Sequence, residues 1–138
     1  MRCLVADRSA TMRGIVTRGL RRAGATDVVA AGSLDEAFAA CETVFELAVI
    51  DRDLSEGPNW NWLGELREKA CADGRLIVTG TRVTRAEGEA LRALGASTFV
   101  LKPLQPEALA ERVRALLALG DAGGDAGEEG EEPQARAA

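Results

Sequence analysis

A chain of 138 residues, 46% of them apolar, can build one hydrophobic core and little more. It has no histidine, which excludes Ser–His and Cys–His catalysis and imidazole zinc sites, leaving carboxylates, hydroxyls, Lys and Arg for any chemistry. The net charge of −5 belongs to the tail: residues 120–138 carry six of the 22 acids and one of the 17 bases, so residues 1–119 hold 16 of each and offer no basic field for nucleic acid.

Aromatic residues are only 4% and Tyr is absent, so packing must rest on Ala, Val, Leu and Ile. Cys3, Cys41 and Cys71 are far apart, odd in number and without metal-ligand spacing. They read as small buried hydrophobes in a reducing compartment. No apolar run is long enough to cross a bilayer. Met1–Asp7 resembles a short strand ending in an acid more than a secretory leader, and the expected location is cytoplasmic.

Five short apolar runs alternate with amphipathic stretches: Arg2–Ala6, Asp27–Ala31, Leu47–Ile50, Leu76–Thr79 and Thr98–Leu101. Most are continuous rather than alternating, the pattern of strands buried on both faces of a parallel sheet. After the first run, Met12, Ile15, Val16 and Leu20 form one helix face, and Gly24 suits its C-terminal stop. Ser33–Glu36 and Thr84–Glu87 both fit a capping box, opening the second and fourth helices. The third helix is expected from near Asn59 to Ala70, burying Trp60 or Trp62 with Leu63 and Leu66. Pro106 opens the last, with Leu109, Val113, Leu116 and Leu117 inward. Five β/α units in residues 1–119 predict an α/β fold with an open, doubly wound parallel sheet. Residues 120–138 contain Gly, Ala and acids without a large apolar side chain, and are expected to be a disordered acidic tail.

In such a sheet, ligands bind beyond the carboxyl ends of the strands. The first strand ends in Asp7-Arg8, the third in Asp51-Arg52-Asp53, the fourth in Thr79-Gly80-Thr81 and the fifth in Lys102-Pro103. Each polar residue alone is what any buried strand shows where it meets water. Together they place acids, a hydroxyl and a lysine at one rim, a chemistry suited to a hard cation and a phosphate.

These residues carry a resemblance. Leu4–Asp7, Thr11-Met12-Arg13, Ala48–Asp51, Ile77–Gly80 and Gly95–Pro103 resemble the response-regulator receiver family (CheY-like) in order and nearly in spacing, over residues 2 to about 119. The resemblance implies a flavodoxin-like (βα)5 fold with strand order 2-1-3-4-5. It implies that Asp51 accepts a phosphoryl group from a histidine kinase or phosphotransfer protein. Mg²⁺ would be held by Asp7, Asp51 and Asp53, the last through its backbone carbonyl. Lys102 would pair with the phosphoryl group, Thr79 and Phe99 would act as switch residues, and Thr81 and Arg82 at the mouth would modulate its lifetime. Lys102-Pro103 resembles the family's cis peptide. Output would pass to a protein target through the fourth helix, fifth strand and fifth helix, with no DNA-binding domain and no membrane span. Chemotaxis or motility is the implied setting, and the protein would be a phosphoacceptor rather than an enzyme.

The sequence departs from the family at Arg8, where a second acid is usual. Three arrangements compete: Asp53 supplies the missing carboxylate; Arg8 pairs with Asp51 or Asp53 in place of the cation; or Arg8 leans into solvent on its long stem. Arg52, Ser55 and the loop Glu56-Gly57-Pro58-Asn59 also depart, and the spacing from Thr79 to Lys102 is one residue long. A second expectation therefore stands beside the first: a pseudo-receiver that binds a ligand or partner without phosphotransfer, with Arg8 replacing the metal-binding acid. A flavodoxin-like nucleotide enzyme has little support, because Asp7–Thr11 lacks phosphate-wrapping glycines. Arg13, Arg18, Arg21 and Arg22 read as a solvated helix face.

Overall fold

The computed structural model describes residues 1–56 and 59–119. The expected tail at 120–138, and Gly57 and Pro58 of the loop after the third strand, lie outside the described residues. The elements are β1 (Arg2–Ala6), α1 (Ala10–Arg22), β2 (Asp27–Ala31), α2 (Leu34–Ala39), a short 3₁₀ turn (Ala40–Glu42), β3 (Leu47–Asp51), α3 (Asn61–Cys71), β4 (Arg75–Gly80), α4 (Arg85–Ala93), β5 (Thr98–Leu101) and α5 (Pro106–Ala118). The five strands are parallel in the order β2-β1-β3-β4-β5, so every strand end that carries a polar residue opens on the same rim.

Strand side chains alternate between two cores. Cys3, Val5, Leu47, Val49 and Ile77 face Val16 and Leu20 of α1 and Leu109, Val113 and Leu116 of α5. Leu4, Ala6, Ala48, Ile50, Leu76 and Val78 face Leu63, Leu66 and Ala70 of α3, Leu91 of α4 and Phe99. Burial on both faces is why the strand runs are continuous in the sequence, and β3, at the centre, is buried at all five positions.

Helix ends follow local chemistry. Ser9 caps α1 by accepting from the Met12 N–H, and Gly24 takes φ +111° just past Ala23. The Thr84–Glu87 box forms in both directions. The Ser33–Glu36 box forms in one only: Ser33 accepts from the Glu36 N–H, but Glu36 accepts instead from the Gly32 N–H at 2.6 Å, one residue further back. The third helix starts two residues later than expected, where Asn59 Oδ1 accepts from the Asn61 N–H, and both Trp60 and Trp62 are half-buried against the core. Leu117 is 36% exposed rather than inward, because Val113 and Leu116 already fill the stripe of α5 that meets the sheet. Among the described residues, the three cysteines are free; Cys3 and Cys71 are buried, and burial pushes both thiols up to about 11. No described helix is long and apolar enough to cross a membrane.

Candidate functional site

Asp51 ends the central strand and is the residue where a buried run reaches the rim. It is 6% exposed. Its Oδ1 accepts from the Asp53 N–H at 3.3 Å, and its carbonyl accepts from the Leu54 N–H, which turns the chain away from the sheet. Asp7, 3% exposed at the end of β1, has its Oδ1 held by the Ser9 N–H at 2.8 Å. From β5, Lys102 reaches across both: its Nζ lies 2.8 Å from Asp7 Oδ2 and 3.4 Å from Asp51 Oδ2. The lysine is aimed by its own backbone N–H, which donates to the Gly80 carbonyl at 2.7 Å, and it precedes a cis bond to Pro103, as the resemblance implied.

Burial raises the Asp51 carboxyl above the ordinary carboxylate range. Lys102 and the Asp53 N–H oppose that rise, and the neighbouring Asp7 and Asp53 charges add to it. A buried carboxylate with a raised pKa and one ammonium shared with a second acid marks this rim as a candidate functional site.

Thr79 is buried on β4 in register with Asp51. Phe99 is buried in the α3–α4 core. Thr81 and Arg82 are exposed at the mouth.

The acids do not all converge. Asp53 turns outward, its Oδ1 3.7 Å from Arg52 Nε and its side chain 69% exposed. Among the described residues, no three acids or cysteines form a group able to hold a metal ion. Of the three arrangements left open at Arg8, the one in which the Asp53 carboxylate joins Asp7 and Asp51 is not formed: those two acids meet on Lys102, and the Asp53 side chain points away. Asp53 lies instead beside the Arg52 guanidinium on the outer side of the rim. Arg8 contacts neither Asp51 nor Asp53; it leans outward, 57% exposed, with Nη1 3.8 Å from Glu56 Oε2. Lys102, not Arg8, is the cation that meets the buried acids.

Two features were not foreseen in the sequence. Arg13, assigned to a solvated face, turns back so that its Nη1 donates to the Asp7 carbonyl at 2.8 Å. Arg52, noted only as a departure, is nearly buried and pairs with Glu87 on α4. Glu87 could be placed at the start of α4 from its capping box, but nothing local in the sequence joins it to residue 52.

No family model matches the chain. Among curated proteins, the chemotaxis protein CheY1 of Helicobacter pylori (strain J99) is 31% identical over 126 residues, spanning 88% of this chain and all of the relative. The chain belongs to the CheY-like response-regulator receiver family. Among solved structures, a response regulator from Burkholderia pseudomallei, described with a phosphorylated aspartic acid, a calcium ion and citrate, aligns at TM-score 0.67 and 26% identity. That match covers 87% of this chain and 74% of the other. An atypical orphan response regulator, described as having a phosphorylation-independent regulatory mechanism, aligns at TM-score 0.67 and 20% identity over 83% of this chain and 93% of its own. Within the receiver family, then, this chain has the expected sheet, with Asp51, Thr79 and Lys102 at its strand ends, and has Arg8 where a second acid is usual.

Proposed function

We propose that residues 1–119 are the receiver of a two-component relay and that Asp51 is its phosphoacceptor. The observation that carries this reading is the Asp51–Lys102–Asp7 cluster at the carboxyl rim. A carboxylate oxygen of Asp51 would attack phosphorus in a phosphohistidine donor; the P–O bond forms as the P–N bond breaks, and the imidazole leaves. Lys102 would then exchange an aspartate partner for a phosphoryl oxygen, a charge-assisted contact of the same kind. Thr79, in register with Asp51, would supply a hydroxyl to the phosphoryl group, and Phe99, already buried beside this strand, would be the switch aromatic.

The residues present fit a divalent cation in part. Asp7 and Asp51 offer hard carboxylate oxygens close together, and buried Asp7 Oδ2 accepts no hydrogen bond, meeting only the Lys102 ammonium. With the Asp53 backbone carbonyl they are the groups that would hold Mg²⁺, which would neutralise charge on the transferring phosphoryl group. A site with one carboxylate fewer than usual binds that ion more weakly. The calcium ion and phosphorylated aspartate described for the Burkholderia pseudomallei protein support this assignment.

Phosphoryl transfer makes this chain a substrate and signal carrier rather than an enzyme in the ordinary sense. Its output passes to a protein target through α4, β5 and α5 in the cytoplasm, in a chemotaxis or motility setting, as the printed name of the Helicobacter pylori relative suggests. Incubation with acetyl phosphate and Mg²⁺ should add the mass of one phosphoryl group to the wild type and none to Asp51→Asn. An unlabelled wild type with acetyl phosphate and with a cognate kinase would refute the reading.

A second reading has its own support: Lys102 already compensates Asp7 and Asp51, and Arg8 stands where an acid is usual. The chain would then be a pseudo-receiver whose α4–β5–α5 surface responds to a bound ligand or partner, with the orphan regulator as its structural parallel.

A further inference from the structure

Arg52 follows the acceptor directly and joins four elements. Its backbone N–H donates to the Thr79 carbonyl of β4 at 2.8 Å, and its carbonyl accepts from Trp60 Nε1 at 3.1 Å, just before α3. Its guanidinium stacks over the Trp60 ring at 4.8 Å. Its Nη1 donates to the Arg82 carbonyl at 2.7 Å, in the loop between β4 and α4. Its Nη1 and Nη2 grip both carboxylate oxygens of Glu87 at 3.1 and 3.0 Å, in the first turn of α4. Its stem lies where a side chain at Gly80 would stand: a Cβ there would fall 2.6 Å from Arg52 Cδ and 3.0 Å from Phe99 Cζ.

We propose that Arg52 is a positioning residue, a latch that fixes the β4–α4 loop and the start of α4 to the acceptor strand. The mouth residues Thr81 and Arg82 then move only together with the residue beside Asp51. The geometry favours this role over an ordinary surface ion pair. The pair is bidentate, the arginine side chain is 14% exposed, and one plane of the guanidinium is covered by an aromatic ring. Glu87 is doubly committed, since the carboxylate that takes Arg52 also closes the α4 capping box by accepting from the Thr84 N–H at 2.9 Å. Release of the latch therefore loosens the helix start as well as the loop.

The latch does not depend on phosphorylation of Asp51, so its test is separate from that of the proposed function. Amide hydrogen exchange over residues 81–88 should be measured in the wild type, Arg52→Met, Glu87→Gln and the double variant. Arg52→Met keeps the stem, and Glu87→Gln keeps an acceptor for the Thr84 N–H. Each single variant should exchange about tenfold faster there, the order expected for losing a charge-assisted hydrogen bond, with α5 unchanged. The double variant should be no faster than the faster single one. Gly80→Ala provides a further arm that touches neither charge: its Cβ displaces the Arg52 stem and should give the same local acceleration. Unchanged exchange in the single variants, or additive effects in the double, would overturn the proposal.

Discussion

The Lys102 ammonium sits nearer to Asp7 Oδ2 than to Asp51 Oδ2, 2.8 Å against 3.4 Å. One positive charge is thus shared unequally by two buried carboxylates, and Asp51, the proposed acceptor, is the more distant of the two. Burial raises the Asp51 carboxyl and Lys102 is the largest influence holding it down.

Removing that ammonium leaves both acids buried without a counter-charge. Lys102→Met, which keeps the length of the stem, should destabilise the fold by about 3 kcal/mol at neutral pH, the scale for breaking a mostly buried pair. The sign of the pH dependence follows from the direction of the shift. A carboxyl whose folded pKa is raised costs stability when ionised, so the loss is greatest above its folded pKa and shrinks as pH falls and the proton returns. Thermal unfolding of the variant and wild type between pH 7 and pH 4 should converge toward the acid end. A gap that stays constant with pH would show that Lys102 contributes packing alone.

The strands were readable because burial on both faces writes continuous apolar runs, and Arg2–Ala6, Asp27–Ala31 and Thr98–Leu101 have the same bounds in the sequence reading and the fold. Asp7, Asp51, Thr79 and Lys102 were readable because parallel topology sends every strand end to one rim. What escaped was the direction of long side chains. Arg8, Arg13 and Arg52 each reach several ångströms, and sequence spacing does not say which carboxylate or carbonyl each finds. Arg52 turns toward Glu87, 35 positions away, and takes the Asp53 carboxylate partly with it; Arg8 is left with exposed Glu56. The Asp53 carboxylate therefore stays outside the Asp7–Asp51 pair.

Arg8 offers the sharpest separation of the two functional readings. It contributes a positive charge near the rim without filling the pocket. Arg8→Asp adds a carboxylate next to Asp7 and removes that charge, and cation affinity in oxygen sites rises with the number of charged ligands. Calorimetric titration with Mg²⁺ should give roughly tenfold or more tighter binding in the variant than in the wild type. Weak but measurable wild-type binding agrees with a metal-assisted acceptor. Binding that appears only in the variant agrees with a pseudo-receiver. Equal affinities would mean that residue 8 does not reach the cation in either form.

Glu87 should leave an acid signature of its own. The Arg52 hydrogen bonds first, then the Thr84 N–H, lower its carboxyl to about 2 from an ordinary 4.5. A depressed carboxyl contributes stability that is complete above its unfolded value and is lost as pH falls through the folded one. Glu87→Gln should therefore be less stable than the wild type at pH 7, by about 1.5 kcal/mol for a partly exposed charge-assisted pair. That difference should fade between about pH 4.5 and about pH 2, the interval set by the two values. Urea unfolding at pH 7, 4.5 and 3 reads it directly, and high salt should shrink it only slightly, because the Trp60 ring shields one side of the guanidinium. Equal stabilities at pH 7 would mean that the Arg52–Glu87 contact costs as much to order as it returns, and that the start of α4 is held by its capping box alone.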